Sequence, residues 1–152
     1  MKNLFIICLT VGLWNCSPSD KKTSSEEQSE NKPAVNQEAV SAKPGVFFKN
    51  LTDGDTLNSP IAIEMGVTGM QVEPAGQVKE GFGHHHILIN QTSWPAGTVI
   101  PMSDTTKHFG KGQIETNLEL TPGVYTIALQ FANGVHSSYG ESMATAIQVV
   151  VE

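Results

Sequence analysis

The chain has no arginine and only two cysteines in 152 residues. With nine lysines against fifteen acids, it carries no basic patch that could neutralise a run of phosphates, so nucleic acid is excluded as a partner. Both cysteines, Cys8 and Cys16, lie close to the N-terminus, which leaves the rest of the chain with neither a disulfide nor a free thiol. A fold built there must rest on its own core or on a metal. No apolar run reaches the roughly 20 residues that a helix needs to cross a bilayer. No segment shows a sustained helical period either, so the chain is not a helical bundle.

The N-terminus does have a short apolar run. Met1, Lys2 and Asn3 precede residues 4–13, which only Thr10 and Gly12 interrupt, and this is the pattern of an export signal. The following Leu13-Trp14-Asn15-Cys16 resembles the lipobox of bacterial lipoproteins, with Trp14 and Asn15 standing where small residues are usual. The resemblance implies a signal peptide over 1–15 and a diacylglycerol thioether on Cys16. The protein would then be held on a membrane of the bacterial cell envelope, facing the periplasm or the surface. Two or more acyl chains, at about 0.8 kcal/mol per buried methylene, anchor a protein stably. The alternative is an ordinary secretory signal with Cys16 as an incidental thiol.

Residues 16–44 are Ser, Glu, Lys, Gln, Asn and Pro with almost no large apolar side chain. Such a stretch cannot bury enough surface to offset the entropy of ordering it, and is expected to be a flexible tether. From 45 to 152 the pattern changes to strands. Ile61, Ile63, Met65 and Val67 alternate with polar or small residues, as do Ile114, Thr116, Leu118 and Leu120, and then Tyr125, Ile127, Leu129 and Phe131. Strands are also expected near 46–48, over 84–90 and over 147–151. Turn residues separate them at Asp53-Gly54, Pro74 to Gly76, Pro95 to Gly97, Pro122-Gly123 and Asn133-Gly134. The expected class is all-β, an immunoglobulin-like or fibronectin-like antiparallel β-sandwich. Pro122, Gly123 and Tyr125 would form the corner in which a tyrosine hydroxyl bonds back to the chain.

All five histidines fall in this domain, at 84, 85, 86, 108 and 136. On a strand His84 and His86 share a face and His85 points away, and a His-x-His pair on a strand is a common chelate. Imidazole suits copper, zinc, nickel or iron. His108 and His136 are the candidates to complete a set with His84 and His86, and Met102 and Met143 are soft ligands should the ion be Cu(I). Asp104 and Glu115 are candidates to bond behind the ligands, while His85, Lys111 and Gln113 are candidates for that role or a structural one. One ion requires imidazole nitrogens within about 4 Å of each other, since each bond is about 2 Å. Other readings stay open, namely a structural cluster of hydrogen-bonded imidazoles, or an enzyme that uses an open metal position, for which the spacing offers no acid, base and nucleophile set. His108-Phe109-Gly110-Lys111-Gly112-Gln113 is not a phosphate loop, because the earlier glycine and the following helix are missing. Its glycines are expected to give positive φ or a close backbone approach beneath the histidines.

The strings Gly83-His84-His85-His86, His108-Phe109-Gly110-Lys111-Gly112-Gln113, Pro122-Gly123 and Val135-His136 together resemble the bacterial family called domain of unknown function 4399. Gly69-Met70 and Val72-Glu73-Pro74-Ala75-Gly76 fit the same pattern, and the resemblance runs from about Val46 to Glu152. It implies an exported β-sandwich whose site residues are the five histidines, with no activity to carry over. Ile114 stands where the family commonly has Thr, and Asn133-Gly134 stands where an aspartate is frequent. The reading is therefore a non-enzymatic envelope domain with a copper or zinc site. The alternative is a structural or protein-interaction module of the envelope, with an unidentified protein partner, whose histidines are internal structure.

Overall fold

A computed structural model describes residues 43–152. The signal peptide over 1–15, Cys16 and nearly all of the tether over 16–44 lie outside the described residues. Nine strands and a single 3-10 turn make up the described residues: β1 Gly45–Phe48, β2 Thr56–Leu57, β3 Ile61–Thr68, β4 Gln71–Val72, β5 Phe82–Ile89, β6 Thr106–His108, β7 Glu115–Leu118, β8 Gly123–Ala132, the turn Glu141–Met143 and β9 Ala144–Val151. They form two sheets, ordered β1-β3-β7 and β2-β9-β8-β5-β4, with β6 also pairing β5. Pairing is antiparallel except for two short contacts, β2 with β9 and β4 with β5.

Alternation explains why the sheets stack. Ile61, Ile63 and Met65 of β3 are buried while Ala62 and Glu64 are exposed, so β3 presents one apolar face. Val46 and Leu118 join it from the neighbouring strands, and Ile87, Ile89, Ile127, Leu129, Phe131, Val149 and Val151 meet it from the second sheet. The result is the all-β sandwich that the pattern predicts. Ile114 departs from it: the residue lies just before β7, is 45% exposed, and contributes only its carbonyl, which accepts from the Met65 amide. The corner at Tyr125 forms as expected, with its hydroxyl 3.0 Å from both the carbonyl and the hydroxyl of Thr121.

The second sheet has a feature that a plain sandwich lacks. β5 and the C-terminal half of β8 are buried on both faces. Their outer face is covered by a second apolar cluster of Leu88, Ile100, Ala128 and Ala132, with Trp94 against it. Gln130 joins this cover to the sheet. Its side-chain carbonyl accepts from the Trp94 amide at 2.8 Å, and its amide group lies 3.0 and 3.1 Å from the carbonyls of Gly140 and Met143. A fully buried glutamine is tolerated only when both ends are bonded in this way.

Candidate metal centre

Successive side chains on a strand point to opposite faces. On β5, Ile87 and Ile89 belong to the core between the sheets while Leu88 belongs to the outer cluster. His84 and His86 therefore stand on the outer face with Leu88, and His85 enters the core. There its ring meets Phe131, its cross-strand neighbour, edge to face at 5.0 Å between centroids.

β6 and a loop bring in two more rings. His108 ends β6 and lies directly opposite His86 in the β5–β6 register. Its ring rests against the backbone at Gly110, where any Cβ would run into the imidazole. Gly112 has φ +77°, a conformation that side chains other than glycine rarely adopt. The two glycines thus do what the sequence suggests, one by close approach and the other by positive φ. His136 sits in the loop between β8 and β9 with φ +67°. The Asn133 side-chain oxygen accepts from the amides of Val135 and Ser137 and so shapes this loop. Asn133 provides the acceptor that an aspartate would provide there, with no charge.

The four rings of His84, His86, His108 and His136 converge. Their centroids are separated by 4.6 Å for His108 and His136, 6.1 Å for His86 and His136, and intermediate distances for the other four pairs. The Nε2 atoms of His84 and His86 are 3.1 Å apart, and those of His108 and His136 are 3.0 Å apart. His84, His86 and His108 each offer a ring nitrogen within 4.8 Å of the other two. A tetrahedral ion with bonds of about 2.0–2.1 Å holds its ligands about 3.3–3.4 Å apart. The two close pairs need to open by only a few tenths of an ångström, but the His84, His86 and His108 nitrogens, up to 4.8 Å apart, must draw together to hold one ion, and His136 stands outside that set, against His108.

Burial favours the neutral form of His84, His86 and His108. Burial, followed by the nearby His108, His136 and His85, pushes His84 down to about 4. Burial pushes His86 down to about 3, with the other four histidines adding to it. Burial and His136 also lower His108. At neutral pH the buried pair therefore keeps lone pairs that a cation can use. The Nδ1 atoms of His84 and His86 are buried without a partner. Both ring nitrogens of His85 are buried without a partner as well, so these atoms alone do not mark the metal face.

Other expected participants are not brought together with these rings. Asp104 and Glu115 are exposed, and neither bonds to an imidazole. Glu115 belongs to β7 in the opposite sheet, where it faces Glu64. Lys111 is exposed, and its amide donates to the Gln113 side chain at 2.9 Å, which makes the pair a local turn clamp. Met143 is buried in the core between the sheets. Met102 is 79% exposed and lines an open cleft together with His108. Gln130 shapes the surroundings of the site and was not singled out by the sequence patterns, whereas Asn133 was noted there as a turn residue standing where an aspartate is frequent. The one available signal for Gln130 is a polar residue within the otherwise apolar stretch 127–132.

The family model described as Domain of unknown function (DUF4399) matches residues 63–152. The match begins within β3, later than the start near Val46 that the sequence strings suggest, and it contains all five histidines. No curated protein and no solved structure matches the chain.

Proposed function

The chain belongs to the family of domain of unknown function 4399, and from that premise we propose that it is an exported, lipid-anchored, non-enzymatic domain that holds one zinc or copper ion on His84, His86, His108 and His136. The observation that carries this reading is the convergence of four imidazoles, two pairs of which bring their Nε2 atoms to 3.0–3.1 Å. The donor set is nitrogen only, and imidazole nitrogen suits both zinc and copper. Four nitrogen ligands would fill a tetrahedral site, whereas His84, His86 and His108 alone would leave a position open to water; the non-enzymatic reading rests on His136 closing that position. Anchoring through Cys16 rests on the lipobox-like string alone.

A second reading draws on the same distances. About 3 Å is also the length of an N–H···N bond between neutral imidazoles, so the cluster could be internal structure in an envelope interaction module. Calorimetry on the chelator-stripped protein separates the two. The metal reading expects uptake of one zinc or copper ion per chain, lost in the His84→Ala/His86→Ala double variant. No uptake by the wild type, with a loss of thermal stability in the variant, would favour the structural reading.

A further inference from the structure

We propose that Met102 is the outer station through which monovalent copper enters and leaves the four-imidazole site, so that the ion carried is copper in transit. The inference rests on the metal reading of the cluster and names its cargo. The site has an inside and an outside. His84 is 0% exposed and His86 1%, while His108 and His136 are only partly buried, so these two form the solvent side of the cluster. Beside His108 lies an open cleft of about 460 Å³ lined by Met102, Ser103, Thr106, Lys107 and His108. It places a thioether and a ligand imidazole on one surface.

Single exposed apolar residues are ordinary on protein surfaces. Met102 differs in how it is held. The segment that carries it is pinned to β6 by a reciprocal pair of backbone bonds between Ser103 and Thr106 and by a 2.8 Å contact between their hydroxyls. The Thr106 hydroxyl also donates to the Pro101 carbonyl. A flexible soft side chain is thus presented from a fixed turn in the cleft that His108 also lines. Thioether sulfur selects Cu(I) and gives zinc little, so Met102 discriminates between ions that four imidazoles alone would both accept. The transfer is ligand exchange: a copper–sulfur bond breaks as copper–nitrogen bonds form, and no electron moves.

The test uses the full chain, stripped of metal and kept anaerobic, with Cu(I) supplied from a chromogenic chelator and Zn(II) supplied in a parallel series. Met102→Leu is expected to load Cu(I) roughly tenfold more slowly, the lower end of what loss of a supporting group costs at a metal site. Final stoichiometry and the rate of Zn(II) uptake stay as in the wild type, and Met102→Cys restores fast Cu(I) loading. Cu(I) loading at the wild-type rate in Met102→Leu, or an equal slowing of Zn(II), overturns the inference and leaves the metal reading standing. A wild-type protein that takes up neither ion overturns both.

Discussion

At the residue scale the histidines divide by face and by depth. His85 fills a slot opposite Phe131 in the core, while His84 and His86, on either side of it in sequence, turn outward to meet His108 and His136. The depressed proton affinities of His84 and His86 have a consequence for stability. In the unfolded chain a histidine titrates near 6.5, whereas in the fold these two titrate at about 4 and about 3. Between those values the unfolded chain binds more protons than the folded one, so stability falls as the pH drops from about 6.5 towards 4, and is flat above that window. The urea midpoint of the metal-free protein should be lower at pH 5 than at pH 7.5. Equal midpoints would mean that the buried rings are not held neutral by the fold.

At the scale of elements, β6 decides the site although it is only three residues long. Its register with β5 sets His108 opposite His86, and Gly110 just beyond it leaves room for the His108 ring. Gly110→Ala places a methyl where that ring lies. Overpacking of this kind costs about 1–3 kcal/mol. The variant should unfold at lower urea and bind metal more weakly, whereas an alanine that leaves both unchanged would show that the ring is free to move aside. β3, β8 and β9 were legible from alternation, because each has eight or more residues and apolar positions recur at every second one, while β5, buried on both faces, was legible only as a run ending in Ile87-Leu88-Ile89. β2, β4 and β6 have two or three residues, too few to show a period. The histidines could therefore be nominated from the sequence, but the pairing that joins His108 to His86 could not. The position of His136 depends on a left-handed backbone and the Asn133 acceptor, neither of which has a periodic signature. Ile114 was expected to face inward because the alternation was extended one residue too far, past the start of β7 at Glu115.

For the whole molecule, the second sheet is the part that a sequence pattern undersells. Its outer face would normally meet water, but here the segment around Trp94 and Ile100 closes over it, tied down by Gln130. That cover turns an exposed sheet face into a buried one and so gives the imidazoles a dry floor. With no cysteine beyond Cys16 in the chain, a bound ion would be the one cross-link available to this fold, joining β5, β6 and the loop before β9. The anchor belongs to the same scale. In a bacterial host the wild-type chain should fractionate with membranes and partition into detergent, while Cys16→Ser should be recovered in soluble fractions. Partitioning that is the same for both would remove the thioether from the proposal and leave the domain unaffected.

X-ray absorption on the zinc- or copper-loaded protein tests the proposed coordination most directly. Four nitrogen scatterers at about 2.0 Å, with the multiple-scattering pattern of imidazole, are expected. His136→Ala should lower the imidazole count by one. A first coordination sphere dominated by oxygen, or one with the same imidazole count after His84 and His86 are both replaced, would contradict the four-histidine site.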